Sequence, residues 1–162
     1  MAGEIVDPTE YAAFREEWRK HTMVLHKPQF DYLAAKYLHS YPEGGSAAFR
    51  QADNTRGVLI NWDLFQKDLG QDFTGVIDVE IEHEVFEMYQ TRDWPLDRPY
   101  DPHSPAHYEA IRHAMRFAKS TGSLEKYMLF KRTMLELYEK RGDTFAPQEL
   151  KFYEDYYQGL GY

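Results

Sequence analysis

The sequence predicts a mainly α protein, α+β at most, with five to six helices and a minor β element around residues 57–61. Apolar residues recur at helical spacing along most of the chain, and helix-capping residues precede several of these stretches. Only one short run combines β-branched residues with flanking turn formers. Because 162 residues are about one domain's length, we expect a single globular helical domain over residues 1–162.

The N-terminal part of the chain predicts two helices. The first begins after Asp7, a favourable N-cap residue, with Pro8 at the first helical position. Its apolar residues fall on one stripe at helical spacing, and they are Tyr11, Phe14 and Trp18. The second helix is predicted over residues 28–38, and the run of Pro, Glu and Gly residues at 42–45 ends it.

Residues 46–75 are the least helical part of the chain and hold the predicted β element. The run 57–61 places three apolar residues between turn formers, which is typical of a short strand. The backbone groups of a lone strand need hydrogen-bond partners, so a second strand must lie beside it, and residues 22–25 are the candidate. Residues 63–69 are predicted to form a helical turn.

The remaining helices are predicted in the second half of the chain. The third helix covers residues 77–91, and three prolines make the following segment, 92–104, a loop. The last three helices cover residues 105–122, 124–141 and 147–159. A serine precedes each of the first two, and a glycine stands at the C-terminal end of all three.

The composition favours an acidic soluble protein and excludes several kinds of site. The formal net charge is −8, and basic residues alternate with acidic ones, so we expect no nucleic-acid partner. The absence of cysteine excludes disulfides, thiolate catalysis and Cys-type zinc sites. No apolar run approaches the roughly 18 residues of a membrane span, and the first residues do not resemble a signal peptide. We therefore expect no membrane association and a cytoplasmic location.

The third predicted helix carries the arrangement of side chains that points most clearly to chemistry. Its polar residues cluster opposite an apolar stripe, and they are Glu80, His83, Glu84 and Glu87. His83 and Glu87 are four residues apart, so both side chains reach the same point above the helix. A histidine and a carboxylate at that spacing suit Zn²⁺ and related divalent ions. We therefore predict His83 and Glu87 as metal ligands, with zinc as the metal.

Glu84 directly follows His83 and stands where a general base would deprotonate a water molecule activated by the metal. The motif His83-Glu84-x-x-Glu87 resembles the HExxH motif of zincin metalloproteases, with Glu87 in place of the second histidine. This resemblance covers five residues. It implies a metal-dependent hydrolase in which Glu84 is the catalytic base.

A third ligand must come from another element, and His107 is the predicted one. It lies in the first turn of the fourth predicted helix and shares a face with apolar residues that should point to the core. The site would then form where the third and fourth helices meet. His103 and Asp101 in the Pro-rich loop, and His113 on a flank of the fourth helix, are alternatives.

Other interpretations of these residues stay open. The polar side of the third helix also fits the solvated face of an amphipathic helix. His107 also fits a hydrogen-bonded core histidine. Glu80-x-x-His83 has the ExxH spacing of four-helix di-iron carboxylate proteins, although no second ExxH pair accompanies it.

Two classes of function are consistent with the sequence. The first is the metal-dependent hydrolase. The second is a non-catalytic interaction or structural protein that acts through its acidic surface and its Tyr-rich C-terminal helix. In that class, residues 147–162 would contact a protein partner or a second copy of the chain. Alternatively, the aromatic residues of this segment dock on the protein's own core.

Overall fold

The computed structural model describes residues 7–38, 45–96 and 104–161. Within these ranges the fold is mainly helical with a small mixed sheet, which confirms the predicted fold class. The helices are α1 (Pro8–Arg19), α2 (Lys27–Tyr37), α3 (Ile77–Gln90), α4 (Pro105–Ser120), α5 (Leu124–Lys140) and α6 (Ala146–Gly159). The strands are β1 (Thr22–Leu25), β2 (Ser46–Arg50) and β3 (Arg56–Asn61). Two short helical segments follow β3, a π-helix at Leu64–Asp68 and a 3₁₀ turn at Thr74–Val76.

The sheet has the strand order β1-β3-β2, with β1 parallel to β3 and β2 antiparallel to it. The pairing of β1 with β3 confirms the partner predicted for the strand at 57–61. The sequence does not predict β2, because two of its five residues are alanines, which favour strands only weakly. β2 forms because a tight turn returns the chain alongside β3, and Gln51 and Thr55 close that turn with a backbone hydrogen bond.

Strand β3 is buried on both faces and separates two hydrophobic clusters. Val58 and Ile60 face the main core, to which all the helices except α2 contribute. Leu59 faces the other way, into a smaller cluster with Phe30 of α2 and Phe49 of β2. This alternation follows from the two-residue period of a strand. Helix α3 therefore packs on the face of the sheet opposite α2.

Gly57 lies where β3 passes close to the backbone that leads into β1. A Cβ atom at this position would lie 2.7 Å from the carbonyl oxygen of His21. We expect Gly57→Ala to lower the free energy of unfolding by about 1–3 kcal/mol, because the two backbones must separate. Urea denaturation measures this change. Gly75→Ala is the matched control, since an added Cβ there meets no atom within 4 Å. Equal stability of both variants and the wild type would contradict the prediction.

The C-terminal helix α6 packs on the protein's own core. Tyr153 is fully buried in the main cluster. Phe152 lies against Tyr108 of α4 with ring centroids 4.6 Å apart, and Arg116 donates a 2.8 Å hydrogen bond to the Tyr156 hydroxyl. These contacts account for much of the aromatic content of α6. A partner or homo-oligomer contact through residues 147–162 stays a prediction.

Across the described parts of the chain, no helix combines the length and apolar character that crossing a bilayer requires.

Candidate metal centre

Helix α3 carries most of its ionisable side chains into the protein. Glu80, Glu82 and His83 are only 2%, 1% and 5% exposed. The helix contacts α1, α4 and two strands of the sheet, so little of its circumference faces water. The interpretation of its polar side as a solvated face is therefore wrong. Each buried ionisable group needs a partner, because burial of an unpaired charge is costly.

His83, Glu87 and His107 converge between α3 and α4. His83 Nε2 lies 3.3 Å from Glu87 Oε2, and His107 Nδ1 lies 3.4 Å from the same oxygen. The two imidazole rings meet edge to face, with centroids 5.3 Å apart. One ligand atom from each residue lies within 4.8 Å of the other two. The structure thus brings together the three side chains predicted as ligands, in a group that could hold a metal ion.

The sequence of α4 explains why His107 comes so close to α3. The Ser104 side chain caps the helix by accepting a hydrogen bond from the Ala106 backbone N–H, which fixes His107 in the first turn. The buried face of α4 is rich in small side chains, which allow two helices to approach closely. These residues are Ala106, Ala110, Ala114 and Ala118. His107 lies at one end of this small-residue face.

Both ring nitrogens of His107 face carboxylates. Its Nδ1 faces Glu87, and its Nε2 lies 2.8 Å from Oε1 of Glu149 on α6. Burial alone would lower the pKa of His107, but the hydrogen bonds with Glu149 and Glu87 outweigh it and raise the pKa to about 10. The same contact lowers the pKa of Glu149, against the effect of its burial. His107 is therefore held in one orientation from both sides of its ring.

Glu84 occupies the position next to this triad and contacts the sheet. The Ser46 hydroxyl lies 2.9 Å from Oε1 of Glu84 and 3.0 Å from Oε2 of Glu80, and its one proton serves one carboxylate at a time. The pKa of Glu84 is raised to about 7, mainly by burial of its carboxyl group. The charge on His83 opposes this rise, and the carboxylates of Glu87 and Glu80 add to it. A carboxyl group that titrates near neutrality suits general acid–base chemistry.

Glu80 forms a buried ion pair with a lysine of α5. Its Oε1 lies 2.7 Å from Nζ of Lys131 and accepts a 2.7 Å hydrogen bond from the Tyr127 hydroxyl. Burial would raise the pKa of Glu80, but the charges of Lys131 and His83 and the hydrogen bonds outweigh it and lower the pKa to about 2. Glu80 thus pairs with Lys131 instead of joining His83 as a ligand, which argues against the di-iron interpretation.

The alternative ligand His113 belongs to a separate cluster around Glu82. His113 Nε2 lies 2.9 Å from Oε2 of Glu82, and Arg15 and Arg19 of α1 contact the other carboxylate oxygen. Burial would raise the pKa of Glu82, but hydrogen bonds from these three residues lower it to about 2. This cluster ties α1 and α4 to α3. The alternatives at positions 101 and 103 lie outside the described residues.

Ser46 and Glu149 are the site residues that sequence reasoning missed. Ser46 belongs to the strand that was not predicted, so nothing local indicates that it reaches α3. Glu149 carries a detectable signal, because it lies three residues after Ala146 and four before Tyr153. Both of those residues are buried, so Glu149 falls on the inward stripe of α6. A carboxylate on such a stripe indicates a buried partner.

Comparisons of the chain with protein-family models, with curated proteins and with solved structures found no match. The interpretation of the site therefore depends on its own geometry and chemistry.

Proposed function

We propose that this protein binds a divalent metal ion, with zinc favoured, through His83, Glu87 and His107. We also propose that it hydrolyses an ester or peptide bond at this site. The observation that carries the proposal is the convergence of these three side chains from two helices on one point. Two histidines and a carboxylate are a ligand set found in zinc hydrolases. A fourth position then stays open for water or substrate.

The distances between the ligand atoms support zinc. With bonds of about 2.0–2.1 Å and tetrahedral angles, the ligand atoms around a zinc ion lie about 3.3 Å apart. The Glu87 oxygen lies 3.3 Å from His83 Nε2 and 3.4 Å from His107 Nδ1. Two of the three pairs of ligand atoms therefore have the separation that a small divalent ion requires, and the third pair lies within 4.8 Å. Calcium, with bonds of about 2.3–2.6 Å and six to eight oxygen ligands, fits poorly.

The second nitrogen of the His83 ring is unsatisfied. This atom, Nδ1, is buried and has no hydrogen-bond partner among the described residues. A buried polar atom without a partner costs free energy and calls for an explanation. Coordination through Nε2, the atom that faces Glu87, would fix the ring but leave Nδ1 without the acceptor that a histidine ligand usually has.

The open side of the site lies at its carboxylates. The Glu87 side chain is 18% exposed and that of Glu149 is 28% exposed, whereas both histidines are below 10%. Water and substrate would therefore reach the triad from this side.

We assign the general-base role to Glu84. A zinc ion with three protein ligands acts as a Lewis acid, polarising a carbonyl group and making a water molecule easier to deprotonate. Glu84 follows ligand His83 in the chain, and the Ser46 hydroxyl holds its carboxylate from the sheet side. It would accept the proton from the attacking water and pass it to the leaving group.

Metal analysis tests the binding part of the proposal. Protein purified without chelator and equilibrated with zinc is expected to hold about one zinc ion per chain. Glu87→Ala should weaken zinc binding by more than about 100-fold, because even outer-sphere partners contribute 10- to 100-fold. His26→Ala, which removes an exposed histidine, should bind like the wild type. Full zinc retention in His83→Ala would overturn the ligand set.

An activity assay tests the role of Glu84. The zinc-loaded protein would be screened against fluorogenic peptides and esters. Glu84→Gln should keep its zinc and lose about 100- to 10,000-fold of the hydrolysis rate, as expected for loss of a general base. If Glu84→Gln hydrolyses the same substrate as fast as the wild type, Glu84 is not the base.

A further inference from the structure

Helix α6 contacts the candidate metal centre through Glu149. The Glu149 Oε1 atom lies 2.8 Å from Nε2 of His107, a proposed ligand. The other ring nitrogen, Nδ1, faces Glu87. If His107 binds the metal through Nδ1, its Nε2–H donates to Glu149. A histidine ligand held by a carboxylate in this way has a fixed tautomer and a fixed ring direction.

We infer that Glu149 makes helix α6 part of the metal centre, so that ion binding and the docking of α6 stabilise each other. This inference rests on the proposed metal-binding function. Glu149 acts as a positioning residue, because it orients His107 and is not itself one of the three converging ligands. The coupling must run in both directions, since two linked equilibria change each other's constants by the same factor.

A second contact holds α6 in place without touching the site. Glu154 of α6 accepts two hydrogen bonds from Arg132 of α5, at 2.5 and 2.9 Å. Both residues of this pair are about one-third exposed, with side-chain exposures of 36% and 34%. Glu149 and Glu154 therefore both attach α6 to the rest of the protein, but only Glu149 does so through a proposed ligand. This difference provides a matched pair of variants.

The experiment measures zinc affinity by competition with a chromogenic chelator for the wild type, Glu149→Ala, Glu149→Gln and Glu154→Ala. We expect Glu149→Ala to weaken binding by about 10- to 100-fold with one ion still bound at saturation. Glu149→Gln, which keeps an oxygen acceptor for the His107 N–H, should lose less. Glu154→Ala should bind zinc within about fivefold of the wild type, which corresponds to the upper end of what an exposed ion pair contributes.

Hydrogen exchange of residues 146–159 gives a second readout that a merely structural role would not change. Zinc should slow exchange in α6 of the wild type and of Glu154→Ala, and this slowing should be lost in Glu149→Ala. Equal weakening of zinc binding in Glu149→Ala and Glu154→Ala would overturn the inference, as would wild-type affinity in Glu149→Ala. Loss of zinc stoichiometry in Glu149→Ala would make Glu149 a ligand and also overturn it. The wild-type titration alone decides whether the proposed metal binding fails.

Discussion

Lys131→Met is expected to lower the free energy of unfolding by about 3–5 kcal/mol, the usual cost of removing one partner from a buried ion pair. The Lys131 ammonium group lies 2.7 Å from Oε1 of Glu80, and these side chains are 7% and 3% exposed. Methionine keeps most of the chain length of lysine, so packing changes little. The loss of stability comes from a carboxylate left buried without its cation. Urea denaturation at neutral pH measures it.

A double variant separates the charge from the packing. Lys131→Met in a Glu80→Gln background should cost clearly less than in the wild type, because glutamine leaves no charge to compensate. Lys151→Met is the control, since Lys151 is 75% exposed and pairs with another surface residue. Equal costs in both backgrounds would show that the pair is not electrostatically coupled.

The stability contributed by Glu80 should also depend on pH. Its pKa falls from 4.5 to about 2 in the folded protein. A carboxyl group whose pKa is lower in the folded state stabilises the fold at pH values above its unfolded-state pKa. This contribution is lost as the pH falls from about 4.5 towards 2. Because the unpaired Glu80 of Lys131→Met can take up a proton, the difference in stability between this variant and the wild type should shrink over the same range.

Glu82→Ala is expected to lower the free energy of unfolding by roughly 2–4 kcal/mol, because one carboxylate accepts several charge-assisted hydrogen bonds. Glu82 is 1% exposed and contacts Arg15 and Arg19 of α1 and His113 of α4. The arginines are partly exposed and regain water, so the expected cost lies below that of a fully buried charge. Thermal and urea unfolding measure the change.

Asp78 provides the control for this variant. It accepts a 2.7 Å hydrogen bond from Arg19, as Glu82 does, but its side chain is 60% exposed. Asp78→Ala should therefore cost less than about 1 kcal/mol, as is usual for a surface pair. Similar losses for Asp78→Ala and Glu82→Ala would mean that burial does not decide the strength of these contacts.

The helices were predictable because their signals are local. Asp7 and Ser104 cap α1 and α4 as their types and positions suggest, and apolar periodicity places the cores of the other helices within a few residues. Strand β2 was not predictable in this way. Its alanines have little strand preference, and only pairing with β3 makes them extended.

The site was predictable in part for the same reason. The spacing of His83 and Glu87 on one helix is a local property, and His107 followed from its place on an apolar helix face. The burial of the ionisable side chains of α3 was not predictable, because their compensating charges come from distant segments. Arg19 lies 63 residues before Glu82 along the chain. Lys131 likewise comes from α5, and no short-range pattern connects it to Glu80.

The partners of α3 have a consequence for how this chain can vary in length. Glu80 points to α5, Glu82 to α1 and α4, and His83 to the triad with His107. One inserted residue turns everything beyond it by about 100° around the helix axis, which would send all later side chains to the wrong neighbours. Insertions and deletions should therefore be confined to the connecting segments. We expect the intervals between positions 80, 82, 83 and 87 to stay unaltered in any variant of the chain that keeps these contacts.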